Sequence, residues 1–323
     1  MFVHKLKMIS LRTWFAAKKE ATDFAAVNLY GDRIEVARVR RDMGARPVVE
    51  VCAQVESSGD QADALQRLRR ECHLERYRCS TTLNGGQYQM QMVDAPNVPE
   101  AEMKSAVRWK LKEFLDYPLE SATVDVVQVP ADAGPPTRGR SVYAVAARNA
   151  DVESRMKLFT EAKIPLRVIE IPEMAQRNIA ALMETDHRAL ALLSFGEDGG
   201  LLTFSARGEL YLARRIDVGR EQLTRSAAAA RNQLFERIAL ELQRSLDHFD
   251  RQYSNLPVAR LLIGPLPEDI GLRQFLADNL SVRVDAVNLG EVLDFHKVPQ
   301  LGEPAEQMQR WQTLGAALRS ELP

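Results

Sequence analysis

The chain has 323 residues, 46% of them hydrophobic and 27% charged, with a formal net charge of −1. That balance supplies cores for two ordinary folded domains and excludes a disordered chain. A charge so close to zero gives no global pull toward nucleic acid or membrane, so any such binding has to come from a local patch.

The cysteines Cys52, Cys72 and Cys79 form no Cys-x-x-Cys pair, and so sparse and odd a set predicts a reducing compartment. The histidines are scattered, and Cys72, His73 and Cys79 lack a fourth ligand, so no metal site is expected. No run approaches the roughly 18 apolar residues of a membrane span. The sequence therefore reads as soluble and intracellular.

Residues 1–20 differ from the rest. Wound as a helix, Phe2, Val3, Leu6, Ile9 and Trp14 fall on one side and Lys5, Arg12 and Lys19 line the other. Lys7 and Arg12 interrupt the apolar region and no small-residue cleavage site follows, which excludes a secretory signal. Two readings stay open: a basic amphipathic anchor at an anionic membrane surface through Lys5, Arg12, Trp14 and Lys19, or a tail that frays or packs on the body.

Phe24 to Tyr30 predicts a strand ending at Gly31-Asp32, followed by strands over Arg33 to Arg40 and Pro47 to Val55 and a helix over Gln61 to Arg70. Asn84-Gly85-Gly86 is a hairpin turn signal. After it, Gln87, Gln89 and Gln91 alternate with Tyr88, Met90 and Met92, a strand with one wet face. A helix begins at Pro99, with Met103, Ala106, Val107, Leu111, Phe114 and Leu115 as its buried stripe. Trp109 lies off that stripe between Arg108 and Lys112, and reads either as a partner anchor or as a second core contact. Strands at Thr123 to Val129 and Val142 to Ala147, a helix at Asp151 to Ala162 and a strand at Leu166 to Ile171 complete this half.

The second half repeats the opening order. Ala189 to Phe195 ends at Gly196, Gly199-Gly200 turn the chain into Leu201 to Ser205, and Arg207-Gly208 turn it into Glu209 to Asp217. A helix over Arg225 to Tyr253 carries Phe235, Ile238, Leu242, Leu246 and Phe249 at core spacing. A strand at Arg260 to Ile263 ends at Gly264-Pro265, a helix around Phe275 and Leu276 precedes a strand at Val282 to Val287, and a last helix spans Ala305 to Leu318. Three antiparallel strands and then a helix, twice in one chain, is the layout of the α/β actin-like (ribonuclease-H-like) two-lobed fold.

Several short runs carry a family resemblance in order and spacing. They are Val27 to Gly31, Pro99 to Pro118, Asp125 to Val127, Ile169 to Ala175, Ile216 to Gly219, Glu241 to Leu246 and Leu314 to Leu318. Over nearly the whole chain they resemble the MshI/PilM family, the actin-like cytoplasmic proteins of MSHA and type IV pilus assembly. The resemblance implies an actin-like fold with a small inserted subdomain of the FtsA/PilM type. The expected domains are a basic segment at 1–22, a first lobe at 23–184 with the insertion at about 87–162, and a second lobe at 185–323. It also implies a scaffold at the inner face of the inner membrane that holds the cytoplasmic tail of a PilN/MshJ-like membrane protein. In that family the tail lies between the first lobe and the insertion, where Arg108, Trp109 and Lys112 are the candidate contacts. No nucleic acid is expected.

Against the family pattern the nucleotide site is degenerate. An actin-like ATPase needs an Asp in each phosphate hairpin to organise Mg²⁺ and water, and tight glycines for the backbone approach to phosphate. Here Asn28 and Ser194 stand at the Asp positions and Tyr30, beside Gly31, at the first Gly position. The adenosine loop is reduced to Gly264-Pro265, and the usual Glu-Pro appears as Pro172-Glu173. No hydrolysis and no cofactor are expected. Weak ATP binding with Mg²⁺ through Gly196 and Gly200 is the alternative, with Asp32 or Asp198 as substitute carboxylates or as plain turn residues. Two competing readings are an active actin-like ATPase and a GspL-like type II secretion component.

Overall fold

The computed structural model describes residues 24–320 except 43, 58, 131–139 and 186. Its first half opens with β1 (Phe24–Tyr30), β2 (Arg33–Arg40), β3 (Val48–Glu56) and α1 (Gln61–Cys72). Then come β4 (Arg78–Thr82), β5 (Tyr88–Asp94), α2 (Glu100–Lys110), β6 (Ala122–Gln128), β7 (Ser141–Arg148), α3 (Asn149–Glu161), β8 (Leu166–Glu170) and α4 (Pro172–Ala180). The second half runs β9 (Ala189–Gly196), β10 (Gly199–Ala206), β11 (Glu209–Ile216), α5 (Arg220–Arg225), α6 (Ala228–Gln252), β12 (Val258–Ile263), α7 (Leu272–Asn279), β13 (Val284–Ala286), α8 (Pro304–Gln309) and α9 (Trp311–Ala317).

The two halves share one topology. One sheet is ordered β3-β2-β1-β4-β8 and the other β11-β10-β9-β12-β13. In each, the first three strands are antiparallel and the last two run parallel to the central one. Continuous apolar runs such as Ala189 to Leu193 suit a central strand covered on both faces, and those residues are fully buried. Between β4 and β8 the chain builds a separate antiparallel sheet ordered β5-β7-β6, covered on one face by Met103, Val107 and Leu111 of α2 and the turn after it.

The two large sheets face each other through a pair of helices. α9 packs on β1, β2 and β4, whereas α4 packs on β9, β10 and β11, and the two helices pack on one another. The last described helix therefore packs on the first sheet, although α9 lies in the segment assigned by sequence to the second lobe. A buried cluster including Ala26, Ala37, Ala175, Ile179, Leu190, Leu192, Trp311 and Leu314 fills the space between. The predicted stripe of α6 is the core of the second half, where Phe249 stacks on Phe204 with ring centroids 4.6 Å apart.

Several expectations need correction. Asn84 to Gly86 is not a hairpin, because β4 and β5 lie in different sheets; it is the bend that carries the chain out of the first sheet. β5 has no plainly wet face, since Tyr88 to Val93 are all half-buried, Met90 and Met92 against the core of the second lobe and Val93 against the cluster under α2. Phe114 is exposed, because α2 ends at Lys110 and a 3-10 turn changes the angular spacing. The last helix is two helices broken at Arg310, whose side chain turns inward to a buried carboxylate. β4, polar at Ser80 to Thr82, and α4, only nine residues long, leave no clear periodic signal in the sequence.

Glu50 on β3 ties the edge of the first sheet to a distant loop. Its carboxylate takes a hydrogen bond from Lys297 at 2.8 Å and pairs with Arg40 at 3.0 Å and Arg38 at 3.4 Å. The Lys297 hydrogen bond, with Arg40 beside it, lowers this carboxyl from 4.5 to about 2. A depressed carboxylate stabilises the fold above its unfolded value and loses that contribution as pH falls toward its folded value. Between about pH 4.5 and pH 2, the melting temperature of Glu50→Gln is expected to fall less than that of the wild type, as scanning calorimetry would read.

Candidate functional site

The tips of two hairpins, β1–β2 and β9–β10, meet at the mouth of a cleft between the large sheets. The cavity there measures about 180 Å³ and is lined by Tyr30, Gly31, Arg33, Ser194, Gly196, Glu197, Asp198, Arg220 and Gln312, among others. Small-molecule sites usually fall at about 300–1,000 Å³. This cleft is too small for a nucleotide without movement of the lobes.

Its own side chains fill it. Tyr30 donates its hydroxyl to Gln312 Oε1 at 3.3 Å and accepts from Asn28 Nδ2 at 3.2 Å. Burial, reinforced by the nearby Glu35 charge, pushes the Tyr30 phenol far above its ordinary value, so it stays protonated. Asn28 is fully buried and its amide is spent on structure. Its Oδ1 accepts from the Thr82 backbone at 2.8 Å and its Nδ2 also donates to Thr313 Oγ1 at 3.2 Å. An Asp at this position would offer no donor to Tyr30 or Thr313.

Sequence reasoning missed the group behind Tyr30. Glu35 on β2 is fully buried. Its carboxylate pairs with Arg310 Nη1 at 3.1 Å and Arg33 Nε at 3.2 Å and accepts from Thr313 Oγ1 at 2.6 Å. Burial raises its pKa despite these partners. The available signal was a lone carboxylate between Ile34 and Val36; its arginine lies 275 positions away.

In the second hairpin, Ser194 Oγ donates to Gln176 Oε1 on α4, which also accepts from Trp311 Nε1 at 3.2 Å. Gly196 lines the cavity, but Gly200 does not: a side chain there would press on Ile216 and Phe195, so it is kept for packing. Gly264 also lies outside it, with its N–H bonded to Leu193 O at 2.7 Å. Asp32 turns to Ser57 Oγ, at 3.2 Å, while Asp198 Oδ2 accepts from the Gly85 backbone at 2.9 Å. Among the described residues no three His, Cys, Asp or Glu are grouped to hold a metal.

A second cavity of about 1,000 Å³ lies between the free edge of β5 and the free edge of β11. Tyr88, Met90 and Met92 form one wall and Leu212 to Asp217 the other, with Tyr143 and Glu173 between. Tyr143 accepts from Ala213 N at 3.0 Å, which joins the small sheet to the second lobe. Tyr88 donates to Glu173 at 2.6 Å, and Arg215 pairs with the same carboxylate at 2.9 Å. Burial first, and then the charges of Arg214 and Arg251, lower the pKa of His248 at one end.

Trp109 is 71% exposed, so it is not a core contact. Arg108 donates to Leu119 O at 2.6 Å and so fixes the turn after α2, and Lys112 is exposed beyond it. None of the three lines either cavity. Lys5, Arg12, Trp14 and Lys19 lie outside the described residues.

Residues 43–256 match the family model for the type IV pilus assembly protein PilM. The chain belongs to the PilM family. The fold of this PilM-family chain is similar to that of a solved PilM–PilN type IV pilus biogenesis complex, at 19% identity over 93% of this chain and 99% of that one, with a TM-score of 0.68. It is also similar to a Bacteroides thetaiotaomicron protein with an actin-like ATPase fold and unknown function, at 11% identity over 88% and 96% of the two chains, TM-score 0.50. No curated protein matches the sequence. The architecture is thus the actin-like two-lobed fold with a small inserted subdomain. No described helix of this PilM-family protein is long and apolar enough to cross a membrane.

Proposed function

We propose that this protein is a scaffold of a type IV pilus assembly platform that holds the cytoplasmic tail of a PilN-like inner-membrane protein and does not hydrolyse ATP. The observation that carries the reading is the 1,000 Å³ groove between two free strand edges in a chain of the PilM family; it lies between the inserted sheet and the second lobe, not between the first lobe and the insertion where the resemblance places the tail. Edge strands offer a row of backbone donors and acceptors, and an extended peptide laid along them gains hydrogen bonds while alternate side chains enter pockets. Met90 and Met92 supply an adaptable apolar wall for such side chains.

The solved relative is a complex with PilN, which supports a PilN-like partner here. The finer reading, an MSHA-type system with an MshJ-like partner, rests on the sequence runs alone. Contact of residues 1–20 with anionic lipid at the inner face of the membrane rests on the amphipathic pattern of that segment. The closed cleft supports the absence of hydrolysis, because Asn28 and Ser194 put amide and hydroxyl groups where metal-organising carboxylates are needed.

A titration of the full chain with a synthetic tail peptide of the cognate PilN-like protein tests the reading. The peptide is expected to bind in calorimetry and to raise the melting temperature, and Met90→Glu is expected to weaken it by about tenfold or more. A ligand at a hundredfold excess over its Kd stabilises a fold by about 2.7 kcal/mol. ATP with Mg²⁺ is expected to produce no such shift. A large shift with ATP and none with peptide would reverse the assignment in favour of a working ATPase.

A further inference from the structure

The turn at Glu197-Asp198 reaches from the second lobe across the mouth of the cleft. Glu197 Oε1 accepts from Arg33 Nη2 of the first lobe at 3.3 Å and from Arg220 Nη2 of its own lobe at 3.2 Å. Asp198 Oδ2 accepts from the backbone N–H of Gly85, where the first lobe passes into the small sheet, at 2.9 Å. Donors from two separate parts of the first lobe thus converge on two adjacent carboxylates. Arg33, which lines the cleft, is a group that an anionic ligand there would otherwise recruit, whereas Gly85 lines the neighbouring groove.

Gly85 is fitted to this contact. A Cβ there would stand 2.6 Å from Asp198 Cγ and Oδ2 and 2.8 Å from its Cβ. Gly85 is not among the residues with positive φ, so the turn itself does not require glycine at this position. What requires it is the approach of the Asp198 side chain. Behind the mouth, the Tyr30–Gln312 bond fills the same cleft from within.

We infer that Glu197 and Asp198 form an internal clasp that holds the two lobes closed. Closure is then a built-in property of this chain, brought about by its own side chains at the mouth of the cleft. An ion pair as exposed as Glu197 is weak alone. Placed between the two lobes together with the Asp198 bond, it adds to the contacts that favour the closed arrangement.

Hydrogen exchange on the full chain reads the clasp, because local opening sets the exchange rate of amides that the closed state protects. In Glu197→Ala/Asp198→Gly, exchange over residues 30–33 and 308–312 is expected to rise about threefold or more, with residues 204–212 unchanged. Gly85→Ala, which pushes Asp198 away and leaves both carboxylates in place, is expected to move the same segments in the same direction. Adding Asp198→Gly to Gly85→Ala removes the clash without restoring the bond, so the rise persists. Wild-type exchange is expected to be unchanged by millimolar ATP with Mg²⁺ or by pyrophosphate. Wild-type rates in both clasp variants, or marked slowing of the wild type by either ligand, would overturn the inference.

Discussion

Gly315→Ala is expected to destabilise the protein by about 3 kcal/mol, at the upper end of what overpacking a core costs. A Cβ at this position would stand 2.3 Å from Ala175 O and 2.7 Å from Ala175 C. Those atoms are backbone of α4, so no rotamer change relieves the clash. α4 is also held from its other side. The two hydrogens of Gln176 Nε2 are shared among Leu192 O at 2.8 Å, Leu201 O at 3.0 Å and Thr203 Oγ1 at 3.0 Å, all on the second sheet. α9 is held to the first sheet by Thr313 and to α4 by the bond from Asn178 Nδ2 to Gly315 O at 3.0 Å. The added methyl group therefore forces apart the layer that joins the lobes. Urea unfolding followed by circular dichroism measures the cost. Gly302→Ala is the control, because nothing lies within 4 Å of its Cβ position; its effect is expected to stay within about half a kcal/mol. Equal stability of the two variants would contradict the packing account.

The second large effect is expected at Arg310. Arg310→Met removes a partner from the fully buried Glu35 carboxylate and leaves it Arg33 and Thr313. Breaking a buried pair on one side typically costs about 3–5 kcal/mol, because the remaining charge stays desolvated. Two partners remain, so about 3 kcal/mol is expected. The loss has a pH signature. Burial already raises the Glu35 pKa, and removing Arg310 raises it further. A carboxyl raised in the folded state contributes its stability fully below the unfolded value and loses it as pH rises through the folded value. The deficit of Arg310→Met against wild type should thus be larger at about pH 8 than at about pH 5. Adding Glu35→Leu removes the stranded charge and is expected to recover most of the loss. A deficit independent of pH, unrelieved by that second substitution, would point to lost arginine packing instead.

Both positions lie in α9 or at the break before it, and both act on the seam between the lobes. The seam joins the lobes through three sets of contacts: helix backbones that meet at Gly315 and Ala175, a buried polar network around Glu35, and the Glu197-Asp198 turn at the mouth. Tyr30 and Asn28 are parts of that seam. Their side chains are bonded across it, Tyr30 to Gln312 and Asn28 to Thr313.

The sequence by itself determined the elements and their repetition. Phe24 to Tyr30, Arg33 to Arg40 and the stripe of α6 are where periodicity puts them, because burial of one face or both leaves a local pattern of apolar residues. It also showed an amide at position 28, a phenol at 30 and a hydroxyl at 194, none of which supplies a carboxylate, since the chemistry of a side chain is local information. What only the tertiary structure decided is where distant polar groups meet. Glu35 finds Arg310 275 residues away, Gly315 faces Ala175, and Asp198 meets Gly85. Packing of the two sheets on α4 and α9 sets those encounters, and they leave no spacing in the chain. The groove between β5 and β11 is equally silent in sequence. Alternation at Met90 and Met92 marks the face of a strand, but which second strand stands across from it follows from how the small sheet docks on the second lobe through Tyr143 and Ala213.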